Sequence, residues 1–145
     1  MKAKVFLSVL VCALLCSCNN KSTSPIIGTW QLVNGQYKTA DTVVHYPGNL
    51  NGNHWKIITR SHFATIYQDT TSKRFLSTGF NGGTYTYTNG IYTESFSHTS
   101  LSNSQIGTKI TFKATIEGDK LLLSPCSEDG KELKSGNFEE YKRLD

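Results

Sequence analysis

The sequence has no apolar run long enough to cross a membrane as a helix. Its longest apolar stretch, Val5 to Cys16, contains one polar residue, Ser8, whereas a membrane-spanning helix needs about 20 residues. From Ile26 onward, no segment repeats its apolar residues with the roughly 3.6-residue period of an amphipathic helix. Threonine, tyrosine, phenylalanine and isoleucine are frequent instead, which is typical of β-strands. The chain is therefore expected to be all-β.

Signals of catalysis, metal binding and phosphate binding are also missing. No metal-ligand spacing links the histidines, which are His45, His54, His62 and His98. There is no G-x-S-x-G nucleophile elbow. The glycine-rich stretch from Gly79 to Gly83 stands between predicted strands, whereas a phosphate-binding loop opens a helix, so we interpret it as a turn. We therefore expect no metal, no cofactor and no catalytic residues, and we do not expect an enzyme.

No block of like charge stands out either. The chain has 15 basic and 11 acidic residues, and they are dispersed. A nucleic-acid-binding surface would show a basic stripe, and a solvated arm would show an acidic run. We therefore expect no nucleic-acid partner.

The N-terminus carries the most specific motif. Lys2 and Lys4 precede the apolar stretch from Val5 to Cys16, and the small residue Ser17 follows it. A basic start, a short apolar core and a small-residue cleavage site predict a secretory signal peptide. Residues Leu15-Cys16-Ser17-Cys18 also resemble the lipobox of bacterial lipoproteins, in which the cysteine after the cleavage site is acylated.

The lipobox resemblance implies cleavage before Cys18 and lipidation of Cys18. Cleavage before Cys16 would put Leu15 at the position that requires a small residue. An ordinary signal peptide cleaved nearby is the alternative. The resemblance further implies a diacylglyceryl group and an amide-linked acyl chain such as palmitate. Attachment would then be permanent, because one acyl chain alone holds a protein only marginally.

The rest of the chain fits one anchored domain. We expect a signal peptide at residues 1–17, the lipidated cysteine and a flexible polar tether at residues 18–25, and a single domain at residues 26–145. Among the four cysteines, Cys12 and Cys16 leave with the signal peptide and lipidation makes Cys18 a thioether. Cys126 is then the one remaining thiol, and no intramolecular disulfide can form. Residues 19–22 lack the acidic run associated with surface export in some lipoproteins. The expected location is the outer membrane, facing the periplasm; the sequence identifies no protein partner.

Two hairpins can be placed from the sequence. Asn89-Gly90 suits a two-residue turn, because both residues tolerate positive φ. Thr88 would then pair with Ile91, and alternation puts one set of side chains on a common face. That set is Tyr85, Tyr87, Tyr92, Glu94, Phe96 and His98. A second hairpin is expected at Gly118-Asp119, after a strand in which the apolar residues from Ile110 to Ile116 alternate with polar ones.

Further strands complete an all-β domain. They are expected near Thr29–Asn34, Trp55–Arg60, Phe63–Gln68, Arg74–Phe80 and Phe138–Leu144. The total of about eight or nine strands matches small closed antiparallel barrels. Closure would also remove the exposed strand edges that promote aggregation.

The ends of the domain carry a second resemblance. Gly28-Thr29-Trp30 is similar to the G-x-W motif that begins lipocalins, and Arg143 matches the arginine that covers the tryptophan ring in that family. Segments from Lys56-Ile57-Ile58-Thr59 to Glu139-Glu140-Tyr141-Lys142-Arg143 resemble the lipocalin-like domain of small Gram-negative bacterial lipoproteins. The resemblance implies a lipocalin-like antiparallel barrel of about eight strands. It implies little about function, because fold does not fix function.

The tyrosine-rich face is the candidate ligand-binding surface if it lines the barrel. Glu94 would be either a polar handle for the ligand or an internal partner of tyrosine hydroxyls and a basic residue such as Arg60. Our leading hypothesis is a lipid-anchored barrel that binds a small, partly apolar ligand. The alternative is a structural or interaction lipoprotein with a filled barrel, and an enzyme on this scaffold is a third hypothesis. A cavity of about 300 Å³ or more would favour binding.

Overall fold

A computed structural model describes residues 24–38, 42–47, 52–69, 78–100 and 103–145. The predicted signal peptide and the predicted lipidation site, Cys18, lie outside the described residues. So do residues 74–77 of the strand predicted at Arg74–Phe80.

The described residues form nine antiparallel strands and one short 3-10 helix, Asn103–Gln105. The strands are β1 (Gly28–Lys38), β2 (Val43–Tyr46), β3 (Gly52–Ile58), β4 (His62–Asp69), β5 (Thr78–Thr88), β6 (Ile91–Thr99), β7 (Lys109–Glu117), β8 (Lys120–Pro125) and β9 (Phe138–Arg143). No helix among the described residues has the length and apolar character that a membrane span requires.

The sheet closes on itself. From β3 to β9 each strand pairs with the next, and β9 pairs with β1. The first half of β1 pairs with β3, and its second half, Gly35 to Lys38, pairs with the short β2 on the same edge. The result is a closed antiparallel barrel of eight strands, to which β2 adds a short ninth. The predicted all-β barrel is thus confirmed; β2 was not predicted.

Both predicted hairpins form with the expected register. Asn89 and Gly90 adopt φ of 52° and 79°, and Thr88 faces Ile91 across the turn. Gly118 has φ 61°, and Glu117 faces Lys120. Residues with positive φ at both turns fix which residues pair, and therefore which side chains share a face of the sheet.

The glycine-rich stretch predicted to be a turn is instead part of β5. Gly79 to Gly83 pairs with β4 on one edge and begins the pairing with β6 on the other. A side chain at Gly79 would collide with the Tyr67 ring, and one at Gly83 would collide with the Ser95 carbonyl. These glycines therefore allow close packing within a barrel strand. Their frequency alone suggested a turn, although glycine occurs in both settings.

The interior differs between the two ends of the barrel. The end that contains Trp30 is filled by a tightly packed apolar cluster, which includes Ile26, Leu32, Ile58, Phe63, Leu121 and Leu123. Strand β3 runs from Gly52 down to Ile58 and so leads from the other end of the barrel into this cluster. The filled end thus closes the bottom of the barrel, and the candidate site lies directly above it.

Candidate functional site

A buried ion cluster lies at mid-height in the barrel. The Lys56 Nζ atom is 2.8 Å from Glu94 Oε1 and 2.9 Å from Glu139 Oε2. The three residues come from β3, β6 and β9, and each is less than one tenth exposed. Lys56 points inward because it alternates with exposed Trp55 and lies two residues before the core residue Ile58. Strand alternation and barrel closure together therefore assemble the cluster.

Aromatic side chains complete the surroundings of the cluster. Tyr92 donates a hydrogen bond of 2.9 Å to Glu94 Oε1, and Tyr141 donates one of 2.8 Å to Glu139 Oε2. The Lys56 ammonium lies 5.2 to 5.8 Å from the ring centres of Tyr141, Phe112 and Tyr92. Such ring faces attract a cation, and the attraction grows when water is excluded.

Ionisation of the cluster reflects one cation between two carboxylates. Burial lowers the pKa of Lys56, but the charges of Glu139 and Glu94 and their hydrogen bonds outweigh this and raise it above its ordinary value. Burial raises the pKa of Glu94 in spite of the Lys56 charge. For Glu139, burial is outweighed by Lys56, His54 and Tyr141, and its pKa is lowered. Lys56 therefore stays charged. Of the two carboxyl groups, Glu94 is the one whose ionised form is less favoured.

A cavity of about 420 Å³ begins at this cluster and extends away from the Trp30 end. Glu94, Glu139 and Lys56 line its inner part. Its walls combine aromatic and apolar groups with polar ones, including Tyr37, Tyr67, Phe96, Ile110, Thr65 and Gln105. The volume falls within the range of about 300–1,000 Å³ that is usual for small-molecule sites.

Three buried polar atoms on the cavity wall have no hydrogen-bond partner among the described residues. They are the Tyr37 hydroxyl, His54 Nε2 and Asn81 Oδ1. Buried polar atoms are nearly always paired, because an unpaired one costs about 1–3 kcal/mol. All three line one cavity, so its wall carries polar atoms that are positioned to form hydrogen bonds with a ligand.

His54 is held neutral by its position. Burial lowers its pKa to about 4, with Lys56 acting in the same direction and Glu139 opposing. Its ring lies 6.1 Å from that of Tyr67 and 6.3 Å from that of Tyr141, centre to centre. A neutral imidazole can donate or accept a hydrogen bond at Nε2, depending on its tautomer.

A bulge in β1 brings Tyr37 into the cavity. The pairing of β1 with β9 shifts between Leu32 and Asn34, and the intervening Val33 is exposed. Before the bulge Trp30 and Leu32 are buried; after it, Tyr37 packs against the core and lines the cavity. An uninterrupted strand would have directed Tyr37 outward, since side chains alternate.

The predicted ligand-binding residues that lie on the inner face of the barrel separate into two groups. Glu94 and Phe96 line the cavity. Tyr85, Tyr87 and Tyr92 lie on the same inner face, and Tyr85 and Tyr87 pack against the core. Tyr85 donates a hydrogen bond of 2.7 Å to the Thr59 carbonyl at the β3–β4 turn. These three tyrosines therefore lie below the cavity and do not line it.

The predicted position of His98 on this face is wrong. Gly82 pairs with His98 while Gly83 pairs with Phe96, so Ser97 forms a bulge in β6. One extra residue reverses the alternation, and His98 is exposed. The internal pairing considered for Glu94 does form, with the Tyr92 hydroxyl and a basic residue, but that residue is Lys56 and not Arg60, which is exposed.

The lipocalin-like pair at the filled end forms as predicted. The Arg143 guanidinium lies 4.0 Å from the centre of the Trp30 ring and bonds to the Ile27 and Pro25 carbonyls. Gly28 has φ 153° and faces this guanidinium, so a side chain there would collide with it. The last residue of the predicted tether, Pro25, is thus held against the barrel.

Lys56 and Glu139 were not predicted as site residues from the sequence. A usable signal exists for Glu139: with Arg143 placed over Trp30, alternation along β9 directs Tyr141 and Glu139 inward as well. Cys126 is a buried thiol without a disulfide. Within the described ranges, no group of three His, Cys, Asp or Glu side chains is arranged to hold a metal ion.

Comparison with known proteins reveals similarity in fold. No protein-family model and no curated protein matches the chain. A solved lipocalin-like protein from Bacteroides uniformis aligns over 83% of this chain and all of its own length, with a TM-score of 0.51 and 18% identity. A protein of unknown function from Bacteroides eggerthii aligns over 81% of this chain and 98% of its own, with a TM-score of 0.50 and 16% identity. At these identities the similarity supports a lipocalin-like barrel and carries no information on ligand or activity.

Proposed function

We propose that this chain is a lipid-anchored lipocalin-like protein that binds a small, partly apolar ligand inside its barrel. The observation that carries the proposal is the cavity of about 420 Å³, whose wall includes the unpartnered polar atoms of Tyr37, His54 and Asn81. A ligand with matching polar groups would satisfy these atoms, and aromatic walls would cover its apolar part.

The ion cluster favours binding over catalysis. A lysine acts as a base or nucleophile only when neutral, and the two carboxylates hold Lys56 in its charged form. The partners of Lys56 are likewise engaged by tyrosine hydroxyls. The cluster is therefore better suited to recognising polar groups than to transferring protons.

The proposed anchor is Cys18, which would tether the domain to the outer membrane on its periplasmic side. Support comes from the lipobox-like residues Leu15 to Cys18 and the preceding basic and apolar segment. The first barrel strand begins at Gly28, three residues after the predicted tether ends at Pro25. The hydrogen bond from Arg143 to the Pro25 carbonyl holds the end of the tether at the filled end of the barrel. The cavity would thus lie in the part of the barrel away from the tether.

A second candidate function is contact with another protein through the outer surface. Trp55, Ile66 and Phe80 face one another across three neighbouring strands and are 42%, 38% and 47% exposed. Large exposed apolar side chains that cluster often mark interaction surfaces. This row favours the structural or interaction role as the alternative to ligand binding.

Native mass spectrometry of the protein purified from its host in lipid nanodiscs tests the proposed function. We expect a small molecule retained by the wild type and lost in Thr65→Phe, because Thr65 is buried and lines the cavity. Thr115→Phe is the matched control, since Thr115 is exposed on β7. Retention of the same molecule by a folded Thr65→Phe variant, or no retained molecule in the wild type, would contradict binding in the cavity.

A further inference from the structure

The inner part of the cavity has one more negative than positive group. Two carboxylates, Glu94 and Glu139, share the single ammonium of Lys56. Among the described residues that line the cavity, Lys56 is the only lysine or arginine. With all three groups ionised, the cluster therefore carries one uncompensated negative charge on side chains that are less than one tenth exposed.

The bonds within the cluster converge on one oxygen of each carboxylate. Tyr92 and Lys56 both bond to Oε1 of Glu94, while Tyr141 and Lys56 both bond to Oε2 of Glu139. Both carboxylates line the cavity, so a donor group on a ligand there can reach them. Asn81 Oδ1 on the cavity wall is an unpaired acceptor as well.

We infer that the ligand carries a protonated amine, whose N–H groups bond to Glu94 and Glu139 beside Lys56, and a flat apolar body that packs against Tyr37, Tyr67 and Phe96. This inference rests on the proposed ligand binding and specifies its chemistry. An ammonium group supplies the missing positive charge and also N–H donors for the two carboxylates. An alcohol supplies a donor without the charge, and a carboxylate would add a second uncompensated negative charge.

The ionisation of Glu94 agrees with this assignment. Burial raises its pKa even though Lys56 lies at 2.8 Å, so one ammonium does not fully compensate its charge. A second cation at the cluster would compensate it.

The test measures the binding of three probes that differ only in their polar end: 2-phenylethylamine, 2-phenylethanol and phenylacetate. Isothermal titration calorimetry uses the protein purified from its host in lipid nanodiscs, after removal of any retained molecule. We expect the amine to bind at least about ten-fold more tightly than the alcohol, and phenylacetate to bind most weakly.

Matched variants assign the preference to the cluster. Glu94→Gln removes the excess charge and keeps the side-chain shape, so the preference for the amine over the alcohol should fall to roughly two-fold or less. Glu139→Gln makes the same change from β9 and serves if Glu94→Gln does not fold. Glu117→Gln on the exposed end of β7 should keep the wild-type preference.

The outcomes separate this inference from the proposed function. Tighter binding of the alcohol or of phenylacetate overturns the amine assignment while ligand binding stands. An amine preference that both Glu94→Gln and Glu139→Gln retain also overturns it. If no probe binds, the molecule retained in native mass spectrometry decides: a basic nitrogen supports the inference, its absence overturns it, and no retained molecule overturns both.

Discussion

Arg143 covers Trp30 where the first and last strands of the barrel meet, with the guanidinium carbon 4.0 Å from the centre of the indole ring. The same guanidinium donates to the Ile27 carbonyl at 2.8 Å and the Pro25 carbonyl at 2.7 Å. Trp30 Nε1 donates to the Ile26 carbonyl at 2.9 Å. The pair therefore links the start of the chain's barrel to its last strand through both ring stacking and hydrogen bonds.

The first prediction concerns this pair. Trp30→Ala should lower the free energy of unfolding by about 3–5 kcal/mol, because a large, fully buried side chain is removed. Arg143→Ala should cost less, since a cation–π contact contributes about 0.5–2 kcal/mol. Urea denaturation of both variants and of the double variant should show losses that do not add. Full additivity would contradict direct coupling between the two side chains.

The sequence could predict this end of the barrel because its signals are local or terminal. Asn89-Gly90 determines a two-residue turn and hence the parity of both flanking strands. A G-x-W start and an arginine near the end place Trp30 and Arg143 together once closure is assumed. That Tyr92, Glu94 and Phe96 share one face follows from the turn, and the structure shows that this face is buried.

The rest of the site depends on irregularities that composition does not reveal. The bulge at Ser97 turns His98 outward, and the bulge at Val33 turns Tyr37 inward. A single inserted residue reverses parity for the remainder of a strand, and no local motif marked either position. The sequence therefore assigned His98 to the wrong face and gave no role to Tyr37.

The ion cluster could not be predicted from the sequence, for a different reason. Lys56, Glu94 and Glu139 lie on β3, β6 and β9, which are not neighbours in the sheet. They meet only across the barrel interior, so their contact depends on closure and on the height of each residue. Glu94 could be expected to need a basic partner, but nothing in the sequence favoured Lys56 over Arg60.

The second prediction concerns the charge balance of this cluster. Lys56→Met should lower the free energy of unfolding by about 3–5 kcal/mol, because two buried carboxylates lose their shared cation. Glu94→Gln should cost less, since Lys56 and Glu139 remain as a matched pair. Urea denaturation at neutral pH measures both.

A triple variant tests whether charge is the cause. Lys56→Met combined with Glu94→Gln and Glu139→Gln removes every charge from the cluster. It should be more stable than Lys56→Met alone, because the uncompensated carboxylates are gone. A triple variant less stable than Lys56→Met would indicate that packing, and not charge, sets the loss.

The third prediction is a dependence of stability on pH that originates at His54. Its pKa falls from 6.5 to about 4 on burial. Below pH 6.5 the unfolded chain takes up a proton that the folded chain does not, so stability should fall as pH drops from 6.5 towards 4. The loss should reach up to about 3 kcal/mol.

Glu94 acts in the opposite direction over part of this range, because burial raises its pKa. The His54 contribution is therefore the difference between the wild type and His54→Gln in urea denaturation across the range. That difference should grow as the pH falls, and NMR titration of the His54 ring should show a midpoint near 4. A His54 midpoint close to 6.5 would contradict the prediction.

The fourth prediction concerns lipidation. Cys18→Ser should abolish incorporation of labelled palmitate and either release the protein from the membrane fraction or leave an uncleaved precursor. Each buried methylene contributes about 0.8 kcal/mol, and more than one chain is needed for lasting attachment, so loss of the acylated residue removes the whole anchor. Cys16→Ser and Cys126→Ser are the controls: Cys16 precedes the predicted cleavage site and Cys126 is buried in the barrel domain, so both variants should keep the label. Palmitate incorporated into Cys18→Ser would overturn the assignment of the anchor, while the fold and cavity would stand.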